Sequence, residues 1–137
     1  MVLLVDTNVW VEVADVDSAN HARCAAMIRA NRGRLVVTGP VVVETAWFIE
    51  DRLGPNREAA FLRMVTSDEI DLIDLTGADW ARVVELIETY ADLGLGTVDA
   101  SIIAVAERQG ITTIATMNAR DFRVVRPAHT AAFDLVP

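Results

Sequence analysis

Apolar and polar residues follow one another along the chain in blocks whose lengths suit strands and helices in turn. Residues 2–5 are four consecutive apolar residues that run directly into Asp6. An uninterrupted apolar run of this length predicts a strand that is buried on both faces. Further strands are predicted, in chain order, at residues 34–38, 69–75, 111–116 and 133–137.

The segments between these strands have helical composition and recognisable helix ends. Helices are predicted after Asp6 and then at residues 18–31, 39–54, 55–67, 76–94 and 97–110. Pro40 suits a first helical turn, and Thr76 and Asp79 have the spacing of a capping box. Alternation of strands and helices on this scale predicts an α/β sandwich with a mainly parallel sheet.

Chain length and composition limit the number of domains and the cellular setting. The 137 residues are 53% hydrophobic, which suits one core, so we predict a single domain over residues 1–137. No segment approaches the roughly 18 uncharged apolar residues that cross a bilayer. Asp6 comes too early for the basic start of a secretory signal. We therefore expect a cytoplasmic protein without a membrane segment.

The ionisable residues exclude several kinds of chemistry. Twenty acids against twelve bases give a net charge of −8, which argues against binding nucleic acid by broad phosphate neutralisation alone. All twelve bases are arginine, so mechanisms that need a lysine nucleophile, Schiff base or P-loop lysine are excluded. The one cysteine, Cys24, allows no internal disulfide, and with two histidines it makes no zinc site. Cys24 is predicted to lie in the core.

Three acidic residues lie in apolar stretches, where exposure to solvent does not explain the presence of an acid. Asp6 ends a buried strand with no base nearby in sequence, and Glu44 lies in VVVETAWF on the predicted inward face of its helix. Asp99 lies in the first turn of a helix that is otherwise apolar. Structural explanations remain open at this stage, because Asp6 can cap the following helix and Asp99 can favour the positive end of its own helix.

The predicted topology suggests that these acids meet. Sites in open parallel sheets form beyond the carboxyl ends of the strands, where Asp6 lies and where Asn118 and Asp121 follow the fourth predicted strand. A pocket that collects Asp6, Glu44, Asp99 and a residue from this last segment repels itself unless a cation is present. Oxygen ligands without histidine or thiol select Mg²⁺ or Mn²⁺.

Four segments now carry a resemblance to a known family. In order they are LLVDTN, VVVETAW, GLGTVDASIIAVAE and TIATMNARDF, and together they resemble the PIN-domain ribonucleases, especially the VapC-type toxins of bacterial toxin–antitoxin pairs. The resemblance covers nearly the whole chain and implies a PIN-like three-layer sandwich. It implies a Mg²⁺-dependent endoribonuclease, with Mn²⁺ as a substitute, that cuts a structured RNA such as a transfer or ribosomal RNA.

The resemblance also implies partners and products. The expected products are a 5′-phosphate and a 3′-hydroxyl, and the expected inhibitor is a cognate VapB-like antitoxin. A homodimer is expected, and with the antitoxin a toxin–antitoxin hetero-oligomer.

The same resemblance gives individual residues a role. Asp6, Glu44 and Asp99 match the three metal-binding acids of the family. Asn118 stands where the family often has a fourth acid, which puts a second metal in doubt, and Asp121 three residues later is the remaining catalytic candidate. Residues expected to orient the acids or water are Thr7, Asn8, Thr116 and Asn118.

Basic residues near the end of the last segment are candidates for RNA binding. Arg120, Arg123 and Arg126, together with His129, are placed to hold phosphates. The alternatives are an ordinary solvated surface or contacts with the antitoxin.

The tryptophans have two kinds of predicted role. Trp10 and Trp47 each either line an antitoxin groove or stack on a base, and the sequence does not decide between these roles. Trp80 heads an apolar stripe and is predicted to lie in the core.

Other families also begin with an acid after a buried strand. Receiver domains and haloacid-dehalogenase-type phosphatases do so, but both use a lysine that this chain lacks. A nucleotide-binding Rossmann module requires a G-x-G-x-x-G motif after the first strand, and none is present. Two alternatives to the toxin remain: a catalytically weakened PIN-like binding protein, which Asn118 favours, and a stand-alone RNA-processing nuclease.

Overall fold

The computed structural model describes residues 1–137 and contains five strands and seven α-helices. The strands are β1 (Leu3–Val5), β2 (Leu35–Thr38), β3 (Ile70–Ile73), β4 (Thr113–Ala115) and β5 (Asp134–Val136). The helices are α1 (Thr7–Ala14), α2 (His21–Ala30), α3 (Gly39–Leu53), α4 (Pro55–Val65), α5 (Gly77–Thr89), α6 (Thr97–Gln109) and α7 (Ala119–Val124). One 3₁₀ turn, Ala91–Leu93, joins α5 to α6.

All five strands belong to one parallel sheet in the order β3-β2-β1-β4-β5. The central strand β1 pairs Leu3 with Leu35 of β2 on one side and with Thr113 of β4 on the other. This register aligns the carboxyl ends of β1 and β4, so the residues that follow them are neighbours. The predicted α/β architecture with a parallel sheet flanked by helices is confirmed.

Burial explains why the first strand is uniformly apolar. Leu3, Leu4 and Val5 are completely buried, because helices cover both faces of the sheet. The helix α6 is also buried around most of its circumference, with Ile102 and Ile103 inaccessible to solvent. A helix in this position needs apolar residues on several faces, which leaves Asp99 at its start as an exception.

Side chains cap the starts of α3 and α5, and the cap of α5 is the capping box predicted from the sequence. The Thr38 side chain accepts a hydrogen bond from the Val41 N–H at the start of α3. Thr76 and Asp79 form the reciprocal capping box of α5. The buried Asp79 carboxylate also accepts hydrogen bonds from Arg108 of α6, at 2.9 Å to the nearer oxygen, so one acid stabilises the helix end and joins two helices.

Several predicted element boundaries differ from the structure. The helix predicted to start at residue 18 starts at His21, and the helix predicted to reach residue 94 ends at Thr89. The short helix α7 was not predicted, because a six-residue segment is too short to show helical periodicity. No helix is long and apolar enough to span a bilayer.

The structure corrects the role predicted for Trp80. This side chain is 46% exposed, so the prediction that it lies in the core is wrong. The capping box fixes where α5 begins and turns Asp79, Val83 and Leu86 toward the core. Trp80 follows Asp79 by one residue, a rotation of about 100° that moves it out of this buried face.

The other tryptophans separate into a core residue and a surface residue. Trp10 is 1% exposed and packs against Phe61 with 6.0 Å between ring centroids, so it neither lines a groove nor stacks on a base. Trp47 is 60% exposed and remains available for either contact. Cys24 is completely buried, which confirms its predicted place in the core.

Candidate active site

Asp6 lies where β1 ends, directly beside the end of β4. Its N–H donates to the Ala115 carbonyl at 2.9 Å, and its side chain is only 5% exposed. One carboxylate oxygen accepts the Thr7 N–H and the other accepts the Thr116 hydroxyl, both at 2.8 Å. Asp6 therefore caps α1, which was the alternative role predicted for it. A carboxylate that accepts two hydrogen bonds still has lone pairs for a further ligand.

The surroundings of Asp6 disfavour its charged form. Burial raises the pKa of Asp6, the hydrogen bonds from Thr116 and Thr7 lower it, and the charge of Glu44 raises it further, with a net increase. No basic side chain forms an ion pair with Asp6. The site therefore lacks the positive partner that a buried carboxylate requires.

Asp99 lies across from Asp6 in the first turn of α6. Burial, followed by the charges of Asp6, Asp121 and Glu44, raises the pKa of Asp99 to about 7. The positive end of its own helix therefore does not compensate for these neighbours, although that effect was the structural alternative for this residue. Carboxylates whose pKa is raised by burial and by neighbouring carboxylates are typical of functional sites.

Asp6, Glu44 and Asp99 line one cavity of about 510 Å³. The carboxyl end of β1, the segment after β4, the start of α6 and one face each of α1 and α3 form its walls. Other residues on these walls include Thr7, Asn8, Glu12, Phe48, Arg52 and Asn118. The sequence-predicted acids are thus brought together by the topology, from positions spread over most of the chain.

Glu44 occupies a slightly different place on α3 from the one predicted. The buried positions of this helix are Val41, Thr45 and Ile49, so Glu44 is half-buried beside the inward stripe. This offset directs it toward the cavity instead of the core. The prediction that Glu44 lies on the inward stripe is therefore wrong, although the residue does reach the site.

Thr116 connects the end of β4 to Asp6. Its hydroxyl donates to Asp6 and accepts the Asn118 N–H at 3.0 Å, which fixes the direction of the donated bond. Nearby, the Asn8 side-chain oxygen accepts the Met117 N–H at 3.0 Å. These bonds hold the segment after β4 against the start of α1. They involve Asn8, Thr116 and Asn118, three of the residues predicted to orient the acids or water.

Replacing Thr116 with valine removes the hydroxyl at nearly constant side-chain volume and should impair the site. The change removes the bond that lowers the pKa of Asp6, and it leaves the Asn118 N–H without its partner. We expect any cleavage activity to fall about 10- to 100-fold, as for partners of metal-binding residues, and its pH profile to move to higher pH. Pre-steady-state cleavage rates across pH measure both effects. Thr116→Ser should restore them, and an unchanged pH profile in the valine variant would contradict this role.

The remaining predicted residues occupy different parts of the site. Asn118 lines the cavity and is exposed, and its side chain makes no capping bond to α7. Asp121 is half-buried in the first turn of α7 and does not line the cavity, although its charge reaches Asp99. The Thr7 hydroxyl is buried against the cavity wall and has no hydrogen-bond partner in the protein.

The predicted basic cluster is only partly available. Arg120 and Arg123 are exposed on α7. The Arg126 guanidinium donates to the Arg123 carbonyl at 2.7 Å and so is engaged at the end of that helix. His129 lies with its Nε2 2.6 Å from the Ile111 carbonyl and packs against Phe133, away from a phosphate-binding role.

The donor set of the cavity fits a hydrated Mg²⁺ or Mn²⁺ ion. No three acidic side chains converge closely enough in their present rotamers to ligate one ion together. Mg²⁺ in proteins commonly keeps several waters and takes only one or two carboxylates directly, so this spacing is compatible with it. The unpartnered Thr7 hydroxyl offers a hydrogen-bonding group to such a water.

Seven residues of the cavity wall were not assigned to the site from the sequence, among them Glu12, Phe48 and Arg52. Phe48 and Arg52 follow Glu44 by four and eight residues on α3, and Glu12 follows Asn8 by four residues on α1. Helical spacing from a residue already assigned to the site therefore predicts all three. This spacing can be read from the sequence, but it identifies cavity residues only when the face of each helix that borders the cavity is known.

Sequence comparison relates the chain to known proteins. The family model described as PIN domain matches residues 3–126. Ribonuclease VapC26 of Mycobacterium tuberculosis is 27% identical over 135 residues, which cover 98% of this chain and 100% of that protein.

Solved structures share the fold at lower identity. The VapC20 crystal structure from Mycobacterium tuberculosis, described as a sarcin–ricin loop cleaving toxin, has a TM-score of 0.77 and 20% identity, covering 82% of this chain and 86% of that one. DNA-bound VapBC from Salmonella typhimurium has a TM-score of 0.72 and 18% identity, covering 98% of this chain and 96% of that one. The chain therefore belongs to the PIN-domain family, and its relatives within that family are VapC-type proteins.

Proposed function

We propose that the chain is a VapC-type endoribonuclease toxin that hydrolyses RNA phosphodiester bonds with the help of Mg²⁺, or of Mn²⁺ in its place. The observation that carries the proposal is the cavity shared by Asp6, Glu44 and Asp99, none of which has an ion-pair partner. Carboxylates so arranged destabilise the fold unless a cation uses them. The 27% identity to a ribonuclease over 98% of the chain supports the same activity.

Each residue of the cavity has a definable role in this proposal. Asp6 and Asp99 hold the ion, and Glu44 completes the site directly or through water. When bound, Mg²⁺ supplies Lewis acidity toward a phosphate oxygen and lowers the pKa of a coordinated water. Thr116 keeps the Asp6 carboxylate in one orientation through its hydroxyl. The Thr7 hydroxyl, which is buried and has no partner in the protein, is placed to hydrogen-bond an enclosed water.

The segment after β4 completes the site on its other side. Asn118 presents a neutral amide to the cavity, where an amide oxygen is a weaker ligand than a carboxylate, so one tightly held ion is the simplest arrangement. Asp121 acts at longer range, because its negative charge raises the pKa of Asp99. Hydrolysis is expected to leave a 5′-phosphate and a 3′-hydroxyl.

The substrate we propose is a structured RNA, either transfer or ribosomal. The exposed Arg120 and Arg123 supply local positive charge beside the site, which a chain of net charge −8 needs for phosphate contact. A relative of similar fold is described as cutting the sarcin–ricin loop, which makes a ribosomal RNA loop one substrate to test first.

Total RNA cleavage with and without metal tests the nuclease directly. The purified chain should give discrete products with Mg²⁺ or Mn²⁺ and none with chelator. Asp6→Asn should lower the rate about a thousandfold, because it removes one of the two carboxylates proposed to hold the ion that stabilises charge on the reacting phosphate. Asp51→Asn is the matched control, since Asp51 is exposed on α3 outside the cavity. No cleavage by folded wild type with either metal would favour the PIN-like binding protein instead.

The partner we propose is a VapB-like antitoxin. VapBC2 from Rickettsia felis and FitAcB from Neisseria gonorrhoeae are among the structures that share this fold. The exposed Trp47 and Trp80 line an apolar groove of about 860 Å³ that suits a protein partner. A small antitoxin gene beside the gene for this chain would distinguish a toxin from a stand-alone RNA-processing nuclease.

We also propose that the chain forms a homodimer. The exposed Val84 side chain on α5, which lies outside the groove assigned to the antitoxin, provides apolar surface for self-association. Sedimentation velocity of the purified chain measures the oligomeric state, and a monomer at all concentrations would exclude the homodimer.

A further inference from the structure

One face of α3 presents three successive side chains to the active-site cavity. Glu44, Phe48 and Arg52 are separated by four residues each, and all three line the cavity. At a rise of 1.5 Å per residue, Arg52 lies about 12 Å along the helix axis from Glu44. These three side chains form a stripe along α3 that begins with the acidic Glu44 and ends with the basic Arg52.

Arg52 is the only basic residue on the cavity wall, and no acid neutralises it. The wall also carries four acids, Asp6, Glu12, Glu44 and Asp99, yet Arg52 forms an ion pair with none of them. It donates no hydrogen bond to another part of the chain, in contrast to Arg126. An arginine that stays unpaired beside four carboxylates must be directed away from them.

Phe48 provides this direction. The guanidinium carbon of Arg52 lies 5.4 Å from the centre of the Phe48 ring, a cation–π distance. The Phe48 ring is itself held edge-on by Trp47, with 5.1 Å between centroids. The ring lies against the guanidinium, and the guanidinium N–H donors have no hydrogen-bond or ion-pair partner in the chain, so they remain available to bind a phosphate through two bonds.

We propose that Arg52, positioned by Phe48, binds a backbone phosphate of the RNA strand on one side of the bond that is cut. This inference rests on the proposed ribonuclease function. A strand whose scissile phosphate lies by Asp6 and Asp99 has to pass along walls that are acidic apart from Arg52. Arg52 supplies the attraction that those walls lack, at a distance from the acids that leaves the metal-binding carboxylates free.

RNA binding by matched variants tests this assignment. The probe is a fluorescein-labelled oligoribonucleotide of mixed sequence, and its anisotropy is measured in Mg²⁺ in an Asp99→Asn background so that the probe is not cut. Arg52→Ala and Arg52→Lys are compared with Arg63→Ala, which removes the same charge from an exposed position on α4 outside the cavity. Thermal melts of all variants verify folding, which an exposed residue without hydrogen bonds should not affect.

The expected result separates a phosphate contact from a change in net charge. Arg52→Ala should raise the Kd about tenfold, the lower end for a hydrogen bond to a charged group. It should also reduce the slope of log Kd against log salt by about 0.7, the value for one phosphate contact on a single strand. Arg52→Lys should keep the salt slope but recover only part of the affinity, because an ammonium lacks the planar fork. Arg63→Ala should leave both quantities unchanged.

Cleavage by variants with Asp99 intact distinguishes failure of this inference from failure of the proposed function. If wild type cuts total RNA and Arg52→Ala matches Arg63→Ala in Kd, salt slope and KM, the assignment of Arg52 is wrong and the nuclease stands. If wild type neither cuts nor binds RNA in Mg²⁺ or Mn²⁺, both are wrong. A raised KM with an unchanged kcat in Arg52→Ala supports the contact, because the bound phosphate is not the one that reacts.

Discussion

Replacing Asp99 with asparagine should abolish RNA cleavage and, in the absence of metal, make the folded protein more stable at pH 8. The cleavage loss, about a thousandfold, follows from removing one of the two acids proposed to hold the ion. The gain in stability follows from the raised pKa of Asp99, about 7 against an ordinary 3.8, which burial and the charges of Asp6, Asp121 and Glu44 produce. Asparagine has nearly the same shape and no charge to bury.

The pH dependence of this stability has a definite sign. Between about pH 4 and pH 7 folded Asp99 keeps a proton that the unfolded chain has lost, so the free energy of unfolding of wild type falls as pH rises through this window. Above it, the penalty is constant at about 2 kcal/mol after allowance for partial solvent screening. Asp99→Asn removes this penalty and should raise Tm by about 5 °C at pH 8. The advantage should disappear near pH 4.

Thermal melts in chelator at both pH values test this prediction, with Asp51→Asn as the control for a simple change in net charge. Addition of Mg²⁺ should stabilise wild type more than Asp99→Asn, because ligand binding to the folded state adds stability. A variant that is less stable than wild type at pH 8 would show that the positive end of α6 outweighs the acidic neighbours of Asp99.

Replacing Trp10 with alanine should destabilise the fold by about 4 kcal/mol, the usual cost of removing a large aromatic side chain from a core. Trp10 of α1 is 1% exposed, belongs to the central core cluster and packs against the Phe61 ring of α4, so its truncation leaves a cavity in the core. Its indole N–H has no partner, so no hydrogen bond is lost. Urea unfolding measures the change in the free energy of unfolding.

Two further variants show whether the effect comes from burial. Trp10→Phe keeps most of the apolar volume and should cost far less than alanine. Trp47→Ala removes the same side chain from a position that is 60% exposed, so it should change stability by no more than about 0.5 kcal/mol. Normal stability of Trp10→Ala, combined with a loss of RNA or antitoxin binding, would instead assign Trp10 to a binding surface.

The sequence was sufficient to predict the sheet because buried parallel strands leave a strong local signal. The run at residues 2–5 and the following acid predicted both β1 and the edge of the sheet where the site lies. Asp6 and Asp99 were found because each departs from an apolar neighbourhood. Such departures can be seen without knowing what packs against the element.

The errors on α3 and α5 concern the direction in which a helix face points. Trp80 and Glu44 were assigned to buried stripes, but the capping box of α5 and the packing of α3 rotate those stripes by about one residue. Phe48 and Arg52 went unrecognised for the same reason. Tertiary packing sets helix rotation, and apolar periodicity alone leaves an uncertainty of roughly one position, or about 100°.

The bond between Thr116 and Asp6 joins residues 110 positions apart in the chain. During synthesis the first strand, β1, leaves the ribosome long before β4, which it pairs with on one side. Until residues 113–116 have been made, Asp6 lacks both its hydroxyl partner and the neighbouring strand that encloses it. The site is therefore assembled late, and an incomplete chain that ends before β4 carries the first acid of the site in an unfinished and inactive setting.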